Sequence, residues 1–282
     1  MSAMLYGCLA DTDYLEVTSK AGHTFGVWVT TPPGYADSTD PLPLVYVMDG
    51  NFAVGQTAPL IVTQSDPYLS IQPYIQVSVG YAGDEAAAWA TLRNRDLVPP
   101  GEPVADEMVA VLAAARDSGA MTQEHMDAYL AELADTHADE FLGFLTDELH
   151  PQLAATYRVS ASGHGLFGYS YGGLFALYAW LLQAAPFETF GAGTPGVAGP
   201  NSQAFSLAEA FTAGAAARRL HVTLNELEVM GPVPIYRGIS QNVLALLERL
   251  PAEPVSKEML HGTHVTGLQA SFLSYLKTCR AR

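Results

Sequence analysis

One serine stands in a setting built for chemistry. Gly168-Tyr169-Ser170-Tyr171-Gly172 is a G-x-S-x-G pentad inside the apolar stretch Leu166 to Leu182. This spacing predicts a nucleophile elbow, a sharp turn between a strand and a helix that lifts the serine hydroxyl clear of the backbone. The turn is strained, and side chains two places before and after the serine would collide, so glycine is required at both. The chemistry implied is acyl transfer with Ser170 as nucleophile. A serine hydroxyl attacks poorly near neutral pH, so it needs a base, usually histidine, and an acid to orient that base.

In the fold that carries this elbow the chain order is serine, acid, histidine. Three histidines follow Ser170: His221, His261 and His264. His221 falls inside a short strand pattern, where a structural role is the default. His261-Gly262-Thr263-His264 lies between the last strand pattern and the last helix pattern, and loops at strand C-terminal ends gather the working groups of open α/β sheets. His264, immediately before the helix, is the preferred base, with His261 in reserve. The same H-x-x-H spacing invites a metal, but no third ligand accompanies it. The last aspartate is Asp147, so an acid in the right order must be glutamate. Glu188 follows the elbow too closely, Glu209 and Glu248 fall within helix patterns, and Glu253 and Glu258 flank the final strand. Glu226 and Glu228 remain, at the end of the strand pattern Leu220 to Leu224. The developing oxyanion needs two donors. One is the backbone N–H of Tyr171, after the nucleophile; the other comes from the loop after an early strand, where the N–H of Asn51 in Asp49-Gly50-Asn51-Phe52 is the candidate.

These groups must be held by a scaffold. Thr24 to Thr31, Leu44 to Met48, Ile75 to Val79, Leu166-Phe167, Leu220 to Leu224 and Val255 to Leu260 read as strands, several of them short continuous apolar runs as in sheets covered on both faces. Helical patterns lie between them: Ala138 to Tyr157, with Thr136 and Asp139 as a candidate cap; Leu174 to Leu182, apolar all round; Val243 to Leu250; and Val265 to Leu276. The alternation predicts an α/β class, a mostly parallel sheet with helices on both faces. Gly101 to Asp135 interrupts it with two helical patterns, Val104 to Arg116 and Thr122 to Leu133, and reads as a helical insertion of about residues 101–135 within one domain spanning 1–282. An insertion of this kind either covers the active site or is a surface excursion.

Bulk composition narrows the partners. The chain has 282 residues, 49% hydrophobic and 15% charged, with 29 acids against 13 bases and a formal net charge of −16. That is a globular composition. Its acidity argues against nucleic acid and anionic membranes, which need clustered Lys and Arg. Its partner is expected to be a small-molecule ester, and self-association into a homo-oligomer is compatible with it. Cys8 and Cys279 are expected to be unpaired thiols. Met1 to Leu15 lacks a basic start followed by a long apolar core, so no signal peptide and a cytoplasmic location are expected. Val159 to Phe187 contains no Asp, Glu, Lys or Arg, but its six glycines and prolines fit a buried strand, turn and helix better than a membrane span.

Further motifs join the pentad: Tyr46-Val-Met-Asp-Gly50, Arg93-Asn-Arg-Asp96, Phe141-Leu-Gly-Phe-Leu145 running to Tyr157-Arg158, the pentad extended through Gly-Leu-Phe-Ala-Leu-Tyr178, and Gly262-Thr-His264. With them the chain resembles the putative-esterase branch of the α/β-hydrolase superfamily, which includes esterase D, the enterochelin esterases and the mycolyltransferase antigens. The resemblance implies the α/β-hydrolase fold, a serine carboxylic-ester hydrolase without metal or cofactor, Ser170 as nucleophile, His264 as base and Glu228, rather than Glu226, as acid. It sets the second oxyanion donor just after Asp49-Gly50. It also turns Arg93 or Arg95 toward the substrate pocket, against the alternative of a structural ion pair with Asp96. Two features depart from the family: tyrosines flank the serine, and the 101–135 insertion is long. The acidic balance favours an uncharged, small or medium ester over a catecholate siderophore.

Two other readings compete. An acyltransferase would use the same three residues with an alcohol in place of water. Gly163-His-Gly165-Leu-Phe-Gly168, with Glu188 twenty residues beyond, spells a dinucleotide fingerprint and with it a nucleotide-dependent oxidoreductase; the fingerprint needs a good strand before Gly163, and Tyr157 to Ser162 is a poor one.

Overall fold

The structure, a computed structural model, describes residues 9–211 and 218–281. Cys8 and the first residues of the stretch read for a signal peptide lie outside the described residues. The strands are β1 (Thr12–Thr18), β2 (Thr24–Thr30), β3 (Leu44–Val47), β4 (Ile75–Tyr81), β5 (His164–Tyr169), β6 (Phe187–Gly193), β7 (Arg219–Asn225) and β8 (Val255–Leu260). They form one sheet in the order β1-β2-β4-β3-β5-β6-β7-β8. β1–β2 and β2–β4 pair antiparallel; every later pair is parallel. This is the α/β-hydrolase arrangement expected from the sequence.

The helices are α1 (Gly50–Thr57), α2 (Trp89–Leu97), α3 (Asp106–Asp117), α4 (Gln123–Ala134), α5 (Ala138–Gly143), α6 (His150–Thr156), α7 (Tyr171–Leu181), α8 (Gln203–Ala210), α9 (Glu226–Met230), α10 (Pro234–Leu247) and α11 (Leu268–Cys279). Strand alternation divides the core. Val45, Val47, Phe167 and Tyr169 face α1 and α11, through Ala53, Leu268, Phe272 and Tyr275. Leu44, Tyr46, Leu166, Phe190 and Val222 face the opposite layer, where α7, buried except at the half-buried Tyr171 and Tyr178, packs beside α5, α6, α8 and α10. Successive side chains on a strand point to opposite faces, so a continuous apolar run is what a doubly covered strand needs.

The sequence expectations are corrected in three details. The helix over 138–157 is continuous but contains a π-helical turn, Phe144–Leu149, between α5 and α6; Phe141 and Phe144 both reach Phe25, at 5.2 and 4.5 Å between rings. Thr136 does not cap it: its hydroxyl donates to the Pro99 carbonyl, and His137 holds the cap position. β1 and β6 are strands that the apolar patterning did not reveal, β1 because it is a half-exposed edge and β6 because three of its residues are Gly or Ala. The glycines of the apparent dinucleotide fingerprint lie in and beside β5; the Glu188 carboxylate accepts the Gly163 N–H at 2.9 Å, and a Cβ on Gly165 would meet the Tyr275 hydroxyl. Gly165 serves close packing of α11 on the sheet, Gly163 takes a left-handed conformation (φ 82°), and Gly168 abuts the backbone of α7. The insertion folds as the hairpin α3–α4, with Thr122 capping α4 through the His125 N–H. Among the described residues no helix is long and apolar enough to cross a membrane.

Candidate active site

Ser170 sits at the junction of β5 and α7 with φ 60° and ψ −119°, a region that L-residues rarely occupy. The flanking glycines make it possible. A Cβ on Gly168 would lie 1.9 Å from the Gly172 carbonyl oxygen, and one on Gly172 would lie 3.0 Å from a carboxylate oxygen of Asp49. The turn is tied to the next strand: Ser170 N–H donates to the Gly193 carbonyl, and the Ser170 carbonyl accepts from Gly196 and Leu174. Strain held by so many bonds is sustained by the fold around it.

His264 reaches the serine from the loop between β8 and α11. Its Nε2 is 3.2 Å from Ser170 Oγ, and its Nδ1 is 2.6 Å from Glu228 Oε1. An ionised carboxylate only accepts, so Nδ1 carries the proton and Nε2 is free to accept from the serine hydroxyl. The Tyr236 ring, from α10, stacks on the imidazole at 4.5 Å and 13°.

Glu228 is 1% exposed. It occupies the third position of α9, and its Oε2 accepts from the Asn225 N–H, the Asn225 side-chain amide and the Thr194 hydroxyl, at 3.0, 3.0 and 2.8 Å. Burial alone would raise its pKa; the bonds from His264, Thr194 and Asn225 outweigh burial and hold the carboxyl below its ordinary range. Glu226 and His261, the alternatives left open by spacing, pair with each other at 2.6 Å on the surface, where His261 is 86% exposed. The two histidines of H-x-x-H therefore face different glutamates and do not converge.

The N–H groups proposed as oxyanion donors are both first-turn amides. Tyr171 opens α7 and Asn51 lies in the first turn of α1, positions whose N–H has no partner within the helix. Among the described residues neither has a backbone acceptor. Asn51 is fixed by its side chain, which pairs with both backbone groups of Tyr81 at 2.7 and 2.9 Å.

A cleft of about 420 Å³ opens over Ser170. Phe52, Trp89, Tyr129, Tyr169, Val265 and Leu268 wall it. Phe52 and Trp89 stack nearly parallel, 6.2 Å apart. Tyr129 comes from α4, so the insertion contributes to the wall. Arg93 lines the cleft as expected, but its guanidinium makes a bidentate pair with Asp49, at 2.6 and 2.8 Å. Arg95 does not: it pairs bidentately with Asp96, at 2.8 Å twice, and borders a separate depression with His23 and His137. Positions two apart on a helix point about 200° apart, to opposite faces, so Arg93 and Arg95 could not share one wall. Tyr236, Phe52, Trp89 and Tyr129 were not singled out from the sequence. An aromatic at an arbitrary helix position carries no signal of its own until the fold brings it to the site.

Comparison with known proteins agrees with this architecture. The pattern of the family described as "Putative esterase" matches residues 18–202. The Ferri-bacillibactin esterase BesA of Bacillus subtilis is 26% identical over 182 residues, 64% of this chain and 55% of that protein. The Siderophore enterobactin esterase of Emericella nidulans is 27% identical over 208 residues, 71% of this chain and 63% of that protein. The chain thus matches little more than half the length of these curated relatives. Among solved structures, the siderophore hydrolase EstB from Aspergillus nidulans superposes with a TM-score of 0.76 at 20% identity, covering 97% of this chain and 96% of that one. The BES protein from Bacillus cereus gives 0.70 at 18% identity, over 96% and 95%. At these identities the superpositions establish the fold.

Proposed function

The chain belongs to the Putative esterase family, and from that membership we propose that it is a serine carboxylic-ester hydrolase working through Ser170, His264 and Glu228 on an uncharged, small or medium ester. The observation that carries this reading is the unbroken hydrogen-bonded chain from Ser170 Oγ to His264 to Glu228, at 3.2 and 2.6 Å, ending on a strained elbow at the floor of a cleft. His264 Nε2 takes the hydroxyl proton as Ser170 attacks the ester carbonyl. Glu228 stabilises the imidazolium that results. The N–H groups of Tyr171 and Asn51 receive the tetrahedral oxyanion. His264 then protonates the leaving alcohol, activates water, and the acyl-enzyme is hydrolysed.

The walls support the substrate class. They are aromatic and aliphatic, and the guanidinium among them is already satisfied by Asp49. A polyanionic ester would need free cations there. The relatives are named for siderophores; this cleft favours a neutral ester instead.

Hydrolysis of p-nitrophenyl acetate, butyrate and octanoate by wild type, Ser170→Ala and His264→Ala tests the reading. Each substitution is expected to lower kcat by roughly 10⁴-fold or more. Full activity in Ser170→Ala would overturn it.

A further inference from the structure

Resting on the hydrolase reading above, we propose that Arg93 is a positioning residue: its bidentate pair with Asp49 clamps the loop from β3 to α1 against the elbow and so fixes the gap between the two oxyanion donors. Four observations meet at this loop. Asp49 has φ 60° and ψ 41°, a left-handed conformation that Asp tolerates better than most side chains but that still costs energy relative to the right-handed and extended regions. Both of its carboxylate oxygens are taken by Arg93, whose side chain is only 15% exposed. Gly50 is pressed onto β4 so closely that a Cβ would lie 2.8 Å from the Val79 carbonyl carbon and 2.9 Å from the Gly80 nitrogen. Asn51 is locked to the backbone of Tyr81 on the same strand. The chain from Asp49 to Asn51 is thus pinned at each residue, and Arg93 supplies the pin at its entrance.

The clamp also touches the nucleophile side. The Asp49 carboxylate faces Gly172, where any Cβ would lie 3.0 Å from it. The Arg93 guanidinium lies 5.3 Å over the ring of Tyr171, the residue that carries the other donor N–H. Arg93 therefore bridges the two segments whose amides must converge on one oxygen. Loss of the clamp would free Asp49 to relax from its left-handed conformation, moving the Asn51 amide while leaving the walls of the cleft in place.

This assigns Arg93 a role opposite to that of an anion receptor. A guanidinium whose Nε and Nη2 are bonded to both oxygens of a buried carboxylate has its charge offset and its side-on fork occupied, so it is a poor receptor for a substrate carboxylate or phenolate. The two roles separate kinetically. A receptor would act on the affinity for anionic esters. A donor-positioning residue acts in the transition state, on all esters alike, because misplacing a preorganised donor lowers kcat without weakening ground-state binding.

The test compares p-nitrophenyl butyrate with the anionic mono-p-nitrophenyl succinate in wild type, Arg93→Met, Arg93→Lys and Asp49→Asn. Arg93→Met is expected to lower kcat by roughly 10²-fold for both esters with KM changed less than about threefold, and to weaken an alkylboronate transition-state analogue in the same proportion. Arg93→Lys, which keeps the charge but only part of the fork, should recover activity in part, and Asp49→Asn should resemble Arg93→Met. The last two also serve if Arg93→Met fails to fold. A rise in KM confined to the succinate ester, or wild-type kcat in both Arg93→Met and Asp49→Asn, would overturn the proposal. If Ser170→Ala is inactive while these variants are normal, only the Arg93 assignment falls; if Ser170→Ala is active, the hydrolase reading falls first.

Discussion

Two Glu–His pairs lie a few residues apart, and their surroundings give them different capacities. Glu226–His261 is a solvent-exposed hydrogen-bonded pair, the kind worth little to stability or chemistry. Glu228–His264 is sheltered, and the carboxylate takes three further donors on its second oxygen. A carboxylate so fixed can only hold the imidazole in one tautomer. Glu228→Gln should therefore lower kcat for p-nitrophenyl butyrate by roughly 10²–10⁴-fold, since the amide can present its NH₂ to Nδ1 and invert that tautomer. Glu226→Gln should leave kcat within about twofold of wild type. Steady-state kinetics of the two variants decide it, and a larger loss in Glu226→Gln would exchange their roles. The sequence contained a sharper signal for this choice than strand-end position alone. Asn225-Glu226-Leu227-Glu228 is an Asn followed three residues later by Glu, the signature of a capping box, which ties the third-position carboxylate back to the Asn225 N–H. Tyr236 and Thr194 had no such signature, because their contacts with His264 and Glu228 exist only after three strands and two helices have assembled.

The elbow is the element whose demands are most plainly written in residue types. Gly168 is there because a Cβ would strike the helix backbone at Gly172, which cannot rotate away, and Gly172 because a Cβ would crowd Met48 and Asp49 at the end of β3. Gly168→Ala is thus expected to destabilise the protein by roughly 3 kcal/mol, the upper end of overpacking costs. Gly143 offers the contrast. It has helical φ and ψ, −58° and −43°, and a Cβ there would meet nothing within 4 Å. Gly143→Ala should stabilise by about 0.5–1 kcal/mol through the entropy of the unfolded chain. Urea unfolding of both variants measures the pair, and equal midpoints would contradict the packing argument. Elements whose residues answer local requirements were legible in this way: the pentad, the α3–α4 pair, the buried runs of β3 and β7. β1 and β6 were not, since an edge strand with a mixed pattern and a strand rich in Gly and Ala are strands only by virtue of their neighbours. The π turn in the 138–157 helix escaped for the same reason: the 3.6-residue period predicts the face, and aromatic packing on Phe25 alters the phase locally.

At the scale of the whole molecule, alternation of elements was enough to indicate a parallel sheet between helical layers, but strand order, which decides that β3 and β5 lie side by side and bring Asp49 to Ser170, depends on crossover connections that no local pattern encodes. The same doubly covered sheet buries two histidines far from the cleft. His164 on β5 is 1% exposed and accepts the Leu44 N–H through Nδ1; His221 on β7 is 3% exposed and lies between the hydroxyls of Ser256 and Ser274. Burial pushes both pKa values down to about 4. In the unfolded chain a histidine takes its proton near pH 6.5, while the folded one resists until about 4. The unfolded state therefore binds more protons across this window, and stability must fall as pH drops from 6.5 toward 4. Two effects run the other way: Glu102, whose pKa burial raises, gains from acidification, and so does relief of self-repulsion as the net charge of −16 shrinks. A difference between variants isolates the histidine contribution from both. His221→Gln cannot titrate, so the gap between its stability and that of wild type should close on acidification, by on the order of 1–3 kcal/mol between pH 7 and pH 4.5. Urea unfolding of the two proteins at those pH values measures the change, and a gap that stays constant would mean that His221 titrates normally within the fold.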